Sequence, residues 1–375
     1  MHSVLNEITR LRKGAPVVID YRNSNRYRLV LSESNGTKTA YYFATPIYNR
    51  TSRKMIDLRF YSNGGRIFAS GSNANITISD NVRMENADGS CIVNLPQKAD
   101  FISDRELHCG ADVIYPTSNG IAYKGVIKGK GSLTLDIEVN QPFLQVRCND
   151  RCFALMKEKF RPLTIISCIG TLDFSGNLIA PAKIEYQKLT DKKYQLTFIP
   201  ASPLGYYILF EANLYENKLF QDTTVESKNA KVNNAFGSIG FIGSTKEFGE
   251  QWLYSRPDFT KMSELNDKKI LRAILHLPKL NTGAVELTAS KVAARFCSFG
   301  STWDNKIAEA SAFNESQITD RYIDLNLIPV LTDKQGRLQR GEGFILKAKK
   351  KNSGFSVVAT GDNYFAPQIL EVNYR

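Results

Sequence analysis

The strongest constraint on the fold of this chain is the spacing of its strand-forming residues. They occur in short runs, separated by turn residues at intervals of about ten positions. The clearest run is 132–139, where apolar and polar residues alternate as in a strand with one buried face. Asn35-Gly36 and Asn63-Gly64-Gly65 separate other runs and favour tight turns, because Asn and Gly tolerate positive φ angles. Two runs within 182–198 flank residues 190–193, which predicts a hairpin. The pattern predicts a chain built mainly from antiparallel strands.

The first dozen residues depart from this pattern. Val4, Leu5, Ile8 and Leu11 recur at the spacing of one helix face, and Gly14 stands where a helix of this length would end. This segment is therefore predicted to form a short N-terminal helix.

The length of 375 residues is enough for roughly two or three domains of ordinary size. We expect an all-β fold, with two or more antiparallel β-sandwich or jelly-roll-like domains after the short helix. The expected divisions are the helix at 1–14, a basic N-terminal β domain at 15–118, a central β domain at 119–219 and a C-terminal β-sandwich at 220–375. Within the central block, residues 151–160 are compatible with one or two helical turns.

The net charge of +12 is concentrated near the start of the chain. Residues 1–60 contain 11 Lys and Arg against 4 Asp and Glu, so 11 − 4 = +7 of the excess lies there. Such a segment favours an acidic partner, either a neighbouring subunit or an anionic polymer, and it also suits a merely solvated surface. The residues expected to dock an acidic partner are Arg22, Arg26, Arg28, Arg53 and Lys54.

Nucleic acid is a further candidate for the acidic partner. Tyr21 and Tyr27 are interleaved with Arg22, Arg26 and Arg28, and grooves for single-stranded nucleic acid combine aromatic and basic residues in this way. Binding of that kind would weaken steeply with salt, because phosphate contacts release counterions. The same few residues suit subunit docking, so nucleic acid is the disfavoured partner.

Cysteine usage and hydropathy indicate where the chain folds. Six scattered cysteines are too few for a disulfide scaffold in a chain of this length, which favours a reducing compartment. No apolar run approaches the roughly 18 residues that a membrane helix needs. The first residues lack the basic and apolar regions of a secretory signal. We therefore expect no membrane span and no signal-directed export.

Catalytic and metal-binding patterns are weak in this sequence. Cys148 and Cys152, together with His108 and Cys109, come closest to a zinc ligand set, but their spacing is loose. There is no Walker loop and no G-x-S-x-G motif, and His276 stands inside an apolar strand run. Glycoside hydrolysis needs only two carboxylates, so it stays open, although no pair stands out. The expectation is a protein without metal, cofactor or enzymatic activity.

Aromatic and lysine residues in the last third of the chain suggest a ligand surface. Aromatic faces suit the apolar faces of sugars, and lysines attract anionic polymers. Both have structural alternatives, since the aromatics could pack in the core and lysines at a hairpin tip would protect an edge strand. The residues expected to contact a glycan or polymer are Trp252, Tyr254, Trp303, Lys347, Lys349, Lys350 and Lys351.

Six motifs follow one another in the C-terminal block. They are Asp222-Thr223-Thr224-Val225, Asn233-Asn234-Ala235-Phe236-Gly237, Arg272-Ala273-Ile274-Leu275-His276, Ser301-Thr302-Trp303-Asp304-Asn305, Gly343-Phe344-Ile345-Leu346-Lys347 and Pro367-Gln368-Ile369-Leu370-Glu371-Val372-Asn373-Tyr374. In this order they resemble the DNRLRE-type β-sandwich domain of bacterial surface and secreted proteins, over about residues 220–375. The resemblance implies a jelly-roll-like sandwich for display, polymer building or carbohydrate contact, with no catalytic residues. His276 departs from the family pattern, which usually has Asp at that position.

Two functions fit these observations. The first is a non-enzymatic structural or host-contact component of a phage virion or phage-tail-like particle, assembled in the bacterial cytoplasm from copies of itself or with other subunits. Release by lysis would reconcile a surface-type sandwich with unpaired cysteines and the missing signal. The alternative is a carbohydrate-binding or adhesive protein of the bacterial cell surface. The two hypotheses differ in the assembly state that they predict.

Overall fold

The structure is a computed structural model, and it describes most of the chain. The described residues are 4–49, 54–56, 58–63, 66–70, 75–78, 82–85, 91–95, 101–127, 131–140, 142–143, 145–173, 175, 177–200, 207–214, 219–351 and 354–375. Helical segments are short: α1 is Val4–Leu11, α2 is Ile328–Leu331, and a 3₁₀ helix covers Phe259–Leu265.

Antiparallel strands form the rest of the regular structure. Strands β1 to β10 are Arg28–Ser32, Lys38–Phe43, Arg59–Asn63, Arg66–Ser70, Asn75–Ile78, Val82–Glu85, Cys91–Leu95, Phe101–Ile102, Leu107–Cys109 and Asp112–Thr117. Strands β11 to β20 are Gly120–Val126, Leu133–Val139, Gln145–Cys148, Cys152–Glu158, Arg161–Leu172, Leu178–Ala180, Ala182–Lys188, Lys193–Pro200, Tyr207–Leu214 and Phe220–Glu226. Strands β21 to β30 are Ile239–Thr245, Gly249–Pro257, Ile270–Pro278, Leu287–Val292, Glu309–Glu315, Gln317–Ile318, Tyr322–Asn326, Phe344–Ala348, Phe355–Ala359 and Ile369–Tyr374. The all-β fold with a short N-terminal helix is confirmed.

The chain divides into two compact units. The first unit comprises Met1–Glu7 and Pro46–Glu216, and the second comprises Ile8–Thr45 and Asn217–Arg375. The boundary between Glu216 and Asn217 lies close to the division expected at residue 219. By contrast, no boundary between the units falls near residue 118, and residues 8–45 group with the second unit, because strands distant in sequence pair with one another. In particular, β2 pairs with β30 along its whole length, from Lys38 opposite Tyr374 to Phe43 opposite Ile369.

The first unit is a sandwich-like pair of sheets. One sheet has the strand order β17-β18-β12-β7-β6-β5-β4-β3, and the other has β13-β14-β15-β19-β11-β10-β9-β8, with β16 added beside β15. The core combines residues of both sheets, such as Leu135 and Phe198 from one with Tyr123 and Phe153 from the other. The hairpin expected within 182–198 is confirmed as the β17–β18 pair.

The second unit is also sandwich-like. Its β30 sheet has the order β1-β2-β30-β23-β27-β26, and its β22 sheet has the order β25-β24-β28-β22-β21-β29, with β20 also paired to β22. Val30 and Leu275 of the β30 sheet share one apolar core with Leu346 and Val358 of the β22 sheet. Burial of each such side chain contributes roughly 1.5–3 kcal/mol to stability, so the two sheets hold each other in place. The opposite face of the β30 sheet carries polar side chains such as Thr39, Glu371 and Asn373.

Helix α1 follows the amphipathic pattern expected from the sequence. Ile8 is fully buried, and the helix ends where Lys13 and Gly14 adopt positive φ angles of 52° and 81°. The N–H of Gly14 donates to the carbonyl of Thr9 at 3.0 Å, which closes the last turn. The helical turns considered for residues 151–160 are wrong, since β14 occupies that segment.

Candidate functional site

Both tryptophans of this chain meet in the second unit. Trp252 lies in β22, Trp303 lies in the loop that precedes β25, and their ring centroids are 4.7 Å apart with an interplanar angle of 48°. The indole Nε1 of Trp252 donates to Oε1 of Glu250 at 2.9 Å, which fixes the ring orientation. The two rings are half-buried, and they pack on a small apolar cluster that includes Phe296 and Ile345. The sequence named both residues, and the structure brings them together.

Two lysines place their ammonium groups against these rings. Nζ of Lys347 lies 4.1 Å from the Trp252 ring centroid. Nζ of Lys306 lies 4.5 Å from the Trp303 centroid and 5.6 Å from that of Trp252. These are cation–π distances, and the attraction holds the side chains over the indoles. We call Trp252, Trp303, Lys306 and Lys347 the Trp–Lys cluster.

Lys306 was missed from the sequence. Its Nζ donates to the carbonyl of Trp303 at 3.1 Å, so it belongs to the same turn as that indole. The spacing of three residues from Trp303 was the available signal. Lys347 also forms an ion pair with Glu309, which holds the pKa of that carboxyl below its ordinary value.

Tyr254 supports this cluster from inside the fold. It is fully buried, its ring stacks on Phe296 at 5.6 Å, and its hydroxyl donates to the carbonyl of Ile307 at 2.6 Å. Burial raises the pKa of the phenol, and the charge of Glu309 adds to the effect. Of the two roles that the sequence left open for Tyr254, ligand contact and packing in the core, its burial supports packing in the core.

The lysines that follow β28 do not form a hairpin tip. β28 pairs with β22 and β24, whereas β29 pairs with β21, so the connection between β28 and β29 passes two intervening strands. This connection brings Lys350 and Lys351 beside Trp252, where they line a notch of about 60 Å³ with Ser244 and Gln251. Lys349 instead forms ion pairs with Glu315 at 2.8 Å and Glu286 at 3.3 Å.

The residues expected to dock an acidic partner differ in their surroundings. Arg28 forms an ion pair with Glu264 and donates from Nε to the carbonyl of Asn23 at 3.0 Å, and its side chain is only 11% exposed. Arg28 is therefore a structural residue. Arg26 lies 5.8 Å from the ring of Tyr27, and Arg22 is exposed. Lys54 is exposed but belongs to the first unit, and Arg53 lies outside the described residues.

The weak catalytic and metal-binding candidates also separate. Nε2 of His108 lies 3.0 Å from Oε1 of Glu106, whereas Cys109, the next residue of β9, is buried in the core. Cys148 is partly buried, and burial raises the pKa of its thiol to about 12, which disfavours a thiolate. Within the described part of the chain, no group of three or more His, Cys, Asp or Glu side chains is arranged to hold a metal ion.

His276 lies in β23 between two carboxylates. Its Nδ1 is 2.8 Å from Oδ1 of Asp324, and its Nε2 is 3.6 Å from Oε2 of Glu371. Burial lowers the pKa of His276, but the hydrogen bond to Asp324 and the carboxylate of Glu371 outweigh burial, so the pKa lies above its ordinary value. Burial conversely raises the pKa of Glu371, while His276 and the charge of Arg272 lower it overall. The group is a buried charge network.

No family model matches the chain, and no curated protein matches it. In the segments that the structure describes, no helix is both long and apolar enough to cross a membrane.

Proposed function

We propose that this protein acts by contact rather than by turnover, as a structural or host-contact component of a phage virion or phage-tail-like particle. In this proposal the Trp–Lys cluster is its contact surface for an acidic glycan. The proposal rests on the contact between Trp252 and Trp303, which are distant in sequence. The ammonium groups of Lys306 and Lys347 lie over their rings.

The chemistry of the cluster suits an acidic sugar chain. A sugar ring whose C–H face packs on the indoles would take the place of the lysine side chains that lie over them. Lysines beside them attract carboxylate, sulfate or phosphate groups on the same polymer. Lys350 and Lys351 extend the positive charge along the notch next to Trp252. A neutral glycan would use the indoles but would gain nothing from the lysines.

Three further observations support the particle setting. Sandwich-like units provide broad, rigid sheet surfaces for contact with other subunits or with further copies of the chain. Cys109, Cys148, Cys152, Cys168 and Cys297 are free thiols, as expected for assembly in the bacterial cytoplasm. The resemblance of residues 220–375 to DNRLRE-type domains supports a display or contact role.

Intrinsic fluorescence tests the glycan contact, because both tryptophans of the chain lie in the cluster. Titration with polygalacturonate as the acidic polymer should change the emission saturably, while dextran as the neutral polymer should bind at least tenfold more weakly. In affinity electrophoresis with polygalacturonate, Trp252→Ala and Trp303→Ala should weaken binding at least tenfold. Lys334→Gln, which removes an exposed charge elsewhere in the second unit, is the matched control. Unchanged binding by both tryptophan variants would refute the glycan contact.

Assembly state tests the particle setting. A virion or tail component should form regular oligomers in light scattering and should sediment with particles from lysed cells. A strictly monomeric protein that still binds glycan through the same cluster would favour the alternative, a carbohydrate-binding or adhesive protein of the bacterial cell surface. The Trp–Lys cluster serves both functions equally, so the two experiments answer separate questions.

A further inference from the structure

A second open site lies on the polar face of the β30 sheet, within the second unit. It is a cleft of about 540 Å³ between the end of α1, the turn from β1 to β2, and the strands β2, β30 and β23. We call it the polar cleft. Its volume falls in the range of about 300–1,000 Å³ typical of small-molecule sites.

The floor of the polar cleft is built by strand register. Tyr41 of β2 stands opposite Glu371 of β30, and one row along the sheet Thr39 stands opposite Asn373. The Tyr41 phenol feels the nearby charges of Arg12 and Glu371, and the amide of Asn373 donates to Oγ1 of Thr39 at 3.0 Å. Thr39 in turn donates to Oε1 of Glu33, so hydrogen bonds fix the Asn373 and Thr39 side chains in the floor.

The carboxylates that line the polar cleft already have cationic partners. Nη1 and Nη2 of Arg12 contact the two carboxylate oxygens of Glu33 at 2.7 and 2.9 Å, a bidentate pair. Glu371 lies 3.6 Å from Nε2 of His276 and 3.4 Å from Nη1 of Arg272. The negative charge of the floor is therefore largely balanced from within the fold.

Positive charge remains at the rim. The side chain of Arg272 is 61% exposed, so Glu371 anchors its guanidinium on one side while most of the side chain stays open to solvent. Lys13 is exposed at the end of α1, where its backbone has a φ angle of 52°. An anionic group entering the polar cleft would meet these two cations first, and the hydroxyl and amide groups of the floor would lie beneath it.

We propose that the polar cleft binds a small ligand with a hydroxyl-bearing body and one anionic oxygen group, either carboxylate or phosphate. Arg272 and Lys13 hold the anionic group, and Glu371, Thr37 and Asn373 hydrogen-bond the hydroxyls. This site is separate from the Trp–Lys cluster, and it does not depend on the proposed function.

Ligand-observed saturation-transfer NMR on the full chain tests this inference with three probes: glucuronate, glucose 1-phosphate and glucose. The two acidic probes distinguish carboxylate from phosphate as the anionic group, and glucose tests whether an anion is needed. We expect at least one acidic probe to bind at least tenfold more tightly than glucose. Arg272→Gln should weaken that probe at least tenfold, and Lys13→Gln should weaken it by a smaller factor.

Arg340→Gln is the matched control, because Arg340 is an exposed arginine of the same unit and does not line the polar cleft. It should bind the acidic probe as the unaltered protein does, and thermal melting should show that all three variants remain folded. Three outcomes would each overturn the inference: no saturable binding of either acidic probe, equal binding of glucose, or equal effects of Arg272→Gln and Arg340→Gln. If Arg272→Gln does not fold, loss of binding by Lys13→Gln alone decides the question.

Discussion

His276 is buried against Asp324 and Glu371, and this arrangement links stability to pH at a single residue. The pKa of the folded state lies above the ordinary value of about 6.5, so the protonated ring stabilises the fold most fully below that pH. The stabilisation declines as the pH rises through the folded pKa. Glu371 stays ionised in this window, because its own pKa is lowered.

We therefore expect His276→Gln to lower the free energy of unfolding by about 2 kcal/mol at pH 5.5, the scale of hydrogen bonds to charged groups. The penalty should shrink as the pH is raised above 6.5. Urea denaturation of both proteins between pH 5.5 and 9 measures the difference. A penalty that grows with pH would contradict the assignment of a protonated ring.

Tyr254 allows a test of whether a residue beneath the Trp–Lys cluster stabilises the fold or contacts the ligand. Tyr254→Phe removes the hydroxyl that donates to the carbonyl of Ile307 but keeps the ring stacked on Phe296. The free energy of unfolding should fall by about 1 kcal/mol, the usual net contribution of one buried hydrogen bond. Binding of polygalacturonate should be unchanged in affinity electrophoresis. A large loss of binding without loss of stability would place Tyr254 at the ligand instead.

For single residues, the sequence identifies candidate site residues by their type, but it does not show which of them are in contact in the folded protein. Trp252 and Trp303 were both singled out because of their residue type. Their contact depends on a strand and a loop that are brought together only by the sheet, which no local pattern encodes. Lys349 and Arg28 were also singled out by type, but each forms an ion pair within the fold, with Glu315 and Glu264 respectively. Neither pair could be predicted, because the partners are distant in sequence.

Among the elements, the β21–β29 pair depends on a glycine. Gly243 has a φ angle of 128°, and a Cβ atom there would lie 2.3 Å from the carbonyl oxygen of Gly354 and 2.8 Å from Cα of Phe355. Both contacts are with backbone, so the strands would have to separate. The connection that carries Lys350 and Lys351 enters β29 at this point, next to Gly354.

Gly243→Ala should lower the free energy of unfolding by about 2–4 kcal/mol, which combines backbone strain with overpacking. Gly283→Ala is the matched control, because no atom lies within 4 Å of the added methyl group and the φ angle is not in the left-handed region. Thermal or urea unfolding compares the two variants. Equal stabilities would show that the β21–β29 pair can move apart without cost.

Elements with a strong local pattern were predictable, and those decided by neighbours were not. α1 and the β17–β18 hairpin follow from periodicity and turn residues. Residues 151–160 form β14 instead of helical turns, because pairing with β13 and β15 and burial of Phe153 outweigh local propensity. The hairpin expected after Lys347 fails for a similar reason, since β28 and β29 each pair with other strands.

For the whole molecule, residues 8–45 are an integral part of the second unit. β2 forms a ladder with β30, and Val30, Ala40 and Tyr42 enter the core shared by the two sheets. A fragment of residues 217–375 would lack these side chains and expose the edge of β30. We expect this fragment to be unfolded or aggregated, because an open apolar edge strand invites association.

Circular dichroism and size-exclusion chromatography of the fragment check this expectation. Joining residues 8–45 to the fragment through a flexible linker, in either order, should restore a cooperative unfolding transition. A fragment 217–375 that unfolds cooperatively as a monomer would show that β1 and β2 are accessory strands.

The sequence predicted the fold class of the whole molecule and a boundary close to Glu216, but not the grouping of residues 8–45 with the second unit. Alternation and turn residues report on strands one at a time, and they contain no information about which strands pair. The β2–β30 pair joins residues more than 300 positions apart, a distance over which only side-chain packing in the folded state selects the partner.

The position of β30 between β2 and β23 also determines when these strands can pair during translation. Until residues 369–374 have left the ribosome, β2 and β23 lack the strand that lies between them, so the edge that each presents to β30 stays unpaired in the nascent chain. The first unit is complete in sequence long before that moment. Since β2 waits for this partner through nearly the whole of translation, we expect the yield of folded protein to depend on the supply of chaperones.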